Sequence, residues 1–182
     1  MAIVSQRQWA GTGRVENSTL AQQGLYILHC IDPQSPTYNV SCNFKLTGAV
    51  NRDALAISVK TLVARHESLR TEFRLDAEQL VQVIHPEEDV SRIAECSHGH
   101  IKFSPLAPGL SETEIHELIN DEINRPFDLH QAPLFRCTLF SDSNDSDHLL
   151  VITVHHTVFD HHSKSVLTRE LGELYNLSLI HI

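Results

Sequence analysis

Positive charge is scarce in this sequence. Fourteen Lys and Arg face 23 Asp and Glu, a formal net charge of −9 with histidine neutral. An acidic excess of that size argues against nucleic acid or an anionic membrane surface as the main partner. The four cysteines (Cys30, Cys42, Cys96, Cys137) never stand as C-x-x-C, so neither a zinc knuckle nor a redox pair is indicated and a reducing compartment fits. Cys30 and Cys137 read as core residues. No apolar run approaches bilayer length, and Met1-Ala-Ile-Val-Ser-Gln-Arg7 lacks the apolar stretch of a signal peptide. A cytoplasmic protein with no membrane partner is expected. Neither H-E-x-x-H nor G-x-S-x-G occurs, which removes the motif basis for a zinc hydrolase or a serine hydrolase. Internal repeats and low-complexity tracts are absent too. The 182 residues, 41% hydrophobic and 20% charged, suit one globular unit with a sizeable core.

Helix and strand signals mix along the chain. Residues up to about Asn17 are polar and read as an irregular opening segment. Thr19 to His29 reads as a helix with Leu20, Gly24 and Leu28 on one side, ended by Asp32-Pro33-Gln-Ser-Pro36. Tyr38 to Leu46 alternates as a strand does. Asn51 caps a helix running to His66, whose stripe is Leu55, Val59, Leu62 and Val63. Leu69 to Leu75 and Leu80 to Ile84 pair around Asp76. Ser111-Glu-Thr-Glu114 is a capping box opening a helix with Ile115, Leu118, Ile119 and Ile123 inward, stopped at Pro126. Leu134 to Phe140 is a strand, and Ser141 to Asp147 a polar hairpin loop. The returning strand, Leu149 to His155, is apolar on both faces and is expected to be central in its sheet. A last helix runs from about Ser163 to Tyr175, packing Val166, Leu167, Leu171 and Leu174. These elements predict an α/β (α+β sandwich) lobe with a mixed, mostly antiparallel sheet covered by helices.

The chemistry concentrates where the central strand ends, at His155-His156 and Asp160. Strand side chains alternate, so one ring faces reactants while the other packs behind. A neutral imidazole takes a proton from an attacking amine or hydroxyl near neutral pH. The plain alternative is a histidine pair finishing an ordinary strand. A metal site is a rival, since His155, His156, Asp160, His161 and His162 crowd together, but the helix-face spacing of zinc hydrolases is missing. Arg65, Glu67 and Arg70 form either a solvated helix end or a buried ion-pair cluster, with Arg65 or Arg70 reaching Asp160; the cluster is preferred.

Four stretches, in order, resemble the condensation domains of nonribosomal peptide synthetases, relatives of chloramphenicol acetyltransferase. Thr19-Leu-Ala-Gln22-Gln-Gly-Leu25-Tyr26 is similar to S-x-A-Q-x-x-L-W. Arg65-His66-Glu67-Ser-Leu69-Arg70-Thr71-Glu-Phe73 matches R-H-E-x-L-R-T-x-F. Arg125-Pro-Phe127-Asp128-Leu with Pro133-Leu-Phe-Arg136 resembles P-F-D-L…P-L-L-R. His155-His156-Thr-Val-Phe-Asp160-His161-His-Ser163 resembles H-H-x-x-x-D-G-x-S. The likeness covers roughly residues 18 to 175; residues 176–182 depart from the pattern.

The resemblance implies an N-terminal lobe of a two-lobed acyltransferase. In such a domain the amine of an acceptor aminoacyl thioester attacks a donor thioester, both carried on the phosphopantetheine of peptidyl carrier proteins. It implies no cofactor or metal bound by the domain itself. The expected partners are donor and acceptor carrier proteins, the C-terminal lobe and neighbouring synthetase domains. His156 is implied as the catalytic residue, either as general base or by positioning the amine and stabilising the tetrahedral intermediate. His155, Asp160, Arg65 and Arg70 are implied to be structural. Where the family has glycine this chain has His161, which either narrows the substrate tunnel or marks altered activity. Two other functions remain open: a silent lobe for carrier-protein docking or scaffolding, and a stand-alone acyltransferase using coenzyme A thioesters. The lobe alone is expected to be inactive, because the tunnel lies between two lobes.

Overall fold

The structure is a computed structural model and describes residues 13–89, 101–107 and 109–180. In chain order its elements are β1 (Arg14–Asn17), α1 (Leu20–Ile31), β2 (Asn39–Thr47), α2 (Arg52–Arg65), β3 (Thr71–Asp76), β4 (Gln79–Ile84), β5 (Ile101–Pro105), α3 (Glu112–Asn124), β6 (Phe135–Ser141), β7 (Asp147–His155) and α4 (His161–Ile180). Local chemistry starts the helices. Asn51 accepts from the Ala54 amide at the head of α2, and Ser111–Glu114 closes the expected capping box on α3. Thr19 and Gln22 form a second box on α1.

The strands form two sheets rather than the single sheet the sequence suggested. The larger runs β2-β7-β6-β5 and the smaller β1-β4-β3. β7 pairs antiparallel with both β2 and β6, so the strand that carries the histidines is interior, while β5 joins β6 in parallel. Its two apolar faces have different covers. Leu150, Ile152 and Val154 pack with Leu55, Val59 and Leu62 of α2 and Leu167 and Leu171 of α4. Leu149 and Val151 turn the other way, with Phe140, toward Ile115, Leu118 and Ile119 of α3. A third cluster (Tyr26, Phe73, Leu80, Phe127, Leu129, Leu134) joins α1 to the smaller sheet.

Several expectations need correction. Arg14–Asn17 is not irregular: it pairs along β4 as an edge strand. β5 is short, lies at an edge and ends in Pro105, so it gave little alternation to read. Leu69 and Arg70 belong to a 3-10 turn that precedes β3. On α1, Leu20 and Leu28 face outward and Tyr26 is the buried residue. Cys137 is buried as expected, whereas Cys30 is exposed, near the C-terminal end of α1; Cys96 lies outside the described residues. α4 begins two residues earlier than expected and continues to Ile180, no glycine or proline following Tyr175 to stop it. No helix among the described residues is long and apolar enough to cross a membrane.

Candidate active site

Val154 is buried against α2 and α4, so the two-residue period of β7 sends His155 to the opposite face. There His155 is 4% exposed, edge-on to the rings of His29, Tyr38 and Phe127. Its Nδ1 accepts from the Thr157 amide at 3.2 Å, so this nitrogen carries no proton and the ring is the neutral Nε2–H tautomer. Burial, with His29, His156 and Arg136 nearby, lowers its pKa to about 4. His155 is a packing residue that resists protonation.

His156 is exposed, in the turn that follows β7. Its amide donates to Tyr38 O at 2.8 Å, and its Nδ1 lies 2.6 Å from Phe159 O. A carbonyl only accepts, so Nδ1 must be the protonated nitrogen of the neutral ring. Nε2 is then the nitrogen with a free lone pair. One backbone contact three residues ahead thus selects, for the neutral ring, the tautomer a proton acceptor needs.

Asp160 is not part of an ion pair with Arg65 or Arg70, and this expectation is corrected. The carboxylate is exposed at the head of α4, where Oδ1 accepts from Ser163 N (2.8 Å) and Ser163 Oγ (2.6 Å), while Asp160 N donates to Ser163 Oγ (3.3 Å). These bonds from Ser163 hold its pKa below the usual carboxylate range. Four orphan amides at a helix start are the nearest strong donors, and they outcompete a distant cation. The arginines are committed elsewhere. Arg65 is exposed and pairs with Glu170 at 2.9 Å, which His66 also contacts at 2.9 Å. Arg70 is buried, its Nε donating to Val63 O (3.2 Å) and Ala64 O (3.1 Å) and Nη1 to His85 O. It closes the C-terminal end of α2, whose last carbonyls have no helical partner. Glu67 reaches Arg14 at 2.7 Å in solvent, so among the described residues no buried ion-pair cluster gathers around the Arg65–Arg70 segment.

His161 is exposed, opens α4, and stands 6.2 Å from the His162 ring, centroid to centroid. Among the described residues the non-glycine positions of positive φ are Ala77, Glu78 and Asp145. Position 161 therefore asks for no glycine on backbone grounds, and only its side-chain volume distinguishes it from the motif's glycine. Among the described residues no three His, Cys, Asp or Glu side chains converge as metal ligands would.

The structure also brings in residues that the motif reading left without a role. Arg136 is buried, stacked 3.8 Å over the Phe127 ring, and donates to Pro126 O at 3.0 Å and to the Glu122 and Arg125 carbonyls. Burial and the adjacent Arg125 lower its pKa to about 10. Phe127 thus lies between Arg136 and His155, joining the P-F-D-L stretch to the histidine pair. Glu72 is buried beside Arg74 Nε (2.6 Å), His85 Nε2 (3.1 Å) and Ala132 N (3.3 Å). Burial alone would raise its pKa, but His85, Arg74 and the Ala132 amide together hold it below the ordinary value. Such partners are set by tertiary packing and carry no sequence signal.

Helices on both faces of a mixed sheet, with a histidine pair at the end of an interior strand, define a lobe of the chloramphenicol acetyltransferase-like fold, and solved condensation domains share it. The first condensation domain of the calcium-dependent antibiotic synthetase, in complex with a substrate analogue, superposes with a TM-score of 0.78 at 21% identity, over 92% of this chain and 39% of that one. The starter condensation domain of rhizomide synthetase gives 0.72 at 16%, over 89% and 37%. The condensation-domain family model matches residues 15–179, and the chain belongs to that family. It holds the N-terminal lobe of such a domain from a nonribosomal peptide synthetase. The dimodular nonribosomal peptide synthase of Bacillus subtilis is 34% identical over 157 residues, and bacitracin synthase 3 of Bacillus licheniformis 36% over 155. These matches cover 86% and 85% of this chain, which spans 6% and 2% of those synthases.

Proposed function

We propose that this lobe contributes His156 to amide-bond formation between two substrates carried as phosphopantetheine thioesters on donor and acceptor carrier proteins. The acceptor amine attacks the donor carbonyl; a C–N bond forms, the C–S bond breaks, and the amine proton passes through His156 Nε2 to the departing thiolate. The observation that carries this reading is the bond from His156 Nδ1 to Phe159 O, which in the neutral ring puts the accepting lone pair on Nε2 of an exposed side chain. Positioned general-base help is worth about 10²–10⁴-fold. Orientation of two reactants is worth more, up to roughly 7–11 kcal/mol, and it needs walls on both sides of the reacting groups. The lobe alone therefore supplies the base and not the enclosure. The carrier arms bring the thioesters, and the lobe itself needs no metal or cofactor.

A second reading, a lobe that serves docking in place of chemistry, is favoured by His161 and by the likeness to the X-domain of teicoplanin biosynthesis. That protein, solved in complex with OxyB, has a TM-score of 0.73 at 25% identity. The two readings separate on one assay. Carrier proteins loaded with donor and acceptor are mixed with the isolated chain, and with a complete condensation domain that contains it. The first reading expects product from the complete domain only. If the complete domain is silent and His161→Gly restores product, the histidine is the block and the docking reading holds for the natural sequence. If it stays silent after that change, the catalytic reading is wrong.

A further inference from the structure

We propose that Gln22 is a positioning residue for His156, its side-chain amide tethering the turn that sets the imidazole's tautomer and direction; this inference rests on the catalytic reading of His156. Gln22 lies on α1, far from β7 in sequence, and is half-buried. Every polar site of its carboxamide has a partner of the right kind. Oε1 accepts from Thr19 N at 2.9 Å, which is one half of the capping box. Nε2 donates to Thr157 O at 3.1 Å and to Gln82 Oε1 at 3.0 Å. The far end of Gln82 is fixed in turn, its Nε2 donating to Asn17 O at 3.0 Å. Exchanging the oxygen and nitrogen of Gln22 would set acceptor against acceptor twice, so one orientation is selected.

Thr157 O belongs to the Thr157–Val158 peptide, the second peptide group after His156. The turn is already held from within by the bond from Val158 N to His155 O (3.1 Å) and, from the residue just before β2, by Tyr38 O. Gln22 adds a hold from a third segment, two peptides before the Phe159 carbonyl that fixes His156 Nδ1. Rotation of the Thr157–Val158 peptide would move that carbonyl and release the Nδ1 proton. The arrangement gives a physical reason for an α1 motif and a β7 motif to occur together in one chain.

Gln22→Glu separates the helix cap from the tether. A carboxylate at this position still accepts from Thr19 N, as a capping box requires, but it has no hydrogen to give Thr157 O or Gln82 Oε1. Thr19→Ala is the converse control, removing the capping hydroxyl and leaving the backbone amide and the tether. The readouts are the ¹⁵N NMR shifts of the His156 ring in the 182-residue chain, and kcat and KM for loaded carrier proteins in a complete condensation domain containing it. The expected result for Gln22→Glu is loss of the Nδ1–H tautomer and a fall in kcat of about 10²-fold, the size of a small misplacement of a reacting group, with KM unchanged. The deficit relative to the natural sequence should shrink as acidification protonates Glu and restores one O–H donor. Thr19→Ala should lower the melting temperature and move neither the tautomer nor kcat. A natural tautomer and rate in Gln22→Glu would overturn the proposal, as would the same tautomer loss in Thr19→Ala. If His156→Ala keeps the full rate, it is the catalytic reading that fails, and the NMR arm still judges the tether.

Discussion

Replacing Arg70 with methionine tests where the cation of the Arg65–Phe73 motif is used. Its guanidinium lies in a buried site and donates to three carbonyls, those of Val63, Ala64 and His85. Methionine fills similar space and donates nothing. Arg70 Nε has one hydrogen, shared between Val63 O and Ala64 O, and Nη1 donates to His85 O. A hydrogen bond to a charged group contributes about 1.5–3 kcal/mol, so two such donors put the loss at about 3–6 kcal/mol. For a domain with a total stability of about 5–15 kcal/mol that is a large fraction. Urea unfolding followed by far-ultraviolet circular dichroism measures it as a drop in midpoint at constant slope. Arg70→Lys should recover only part of the loss, because one ammonium cannot span three carbonyls on two elements. Arg70→Met and Asp160→Asn should be additive in the same assay, since the two side chains share no contact. Full recovery by lysine, or strong coupling to Asp160, would refute the reasoning and restore the ion pair.

Three further outcomes are expected. His155 is held neutral with a pKa near 4 against an ordinary 6.5, so its contribution is intact above pH 6.5 and about 3 kcal/mol is lost as pH falls from 6.5 to 4; a His155→Gln chain should have a flatter stability profile across that window, and an equal slope would count against the burial argument. Glu72→Gln should cost about 2 kcal/mol at neutral pH by leaving Arg74, His85 and the Ala132 amide without their charged acceptor; because the Glu72 pKa is depressed, stabilities of variant and parent should converge as pH falls below 4.5, and a constant gap would contradict this. The β3–β4 turn carries Ala77 and Glu78 at φ +46° and +69°, so Ala77→Asn with Glu78→Gly should raise stability by about 1 kcal/mol in thermal unfolding, while any loss would mean the side chains do more than occupy the turn.

Patterns that act over a few residues were legible in the sequence. The Asn51 and Ser111 caps, the stripe of α2 and the apolar run of β7 each predicted their element, and the period of β7 placed His155 on the face opposite Val154. The Asp160 cap carries a local signal of its own, a carboxylate three residues before Ser163 at a helix start, and that signal outweighs the arginine partner the family motif implies. Thr19-x-x-Gln22 is another such pattern, and reading it would have drawn Gln22 into view. The Gln22 bond to Thr157 O joins segments far apart in the chain, and the carbonyls that take up Arg70 and the contacts of Phe127 with Arg136 and His155 cross turns and strand ends, so no local spacing encodes them. The split into two sheets was hidden for the same reason, since strand pairing across a long separation leaves no mark on either strand alone.

The central claim is that His156 Nε2 receives the amine proton during condensation. Its most direct test is the single-turnover rate of amide formation between loaded carrier proteins in a complete condensation domain containing this chain, measured for the natural sequence and for His156→Ala. The rate should fall by about 10²–10⁴-fold in the variant with the fold intact. An unchanged rate in His156→Ala would contradict the account.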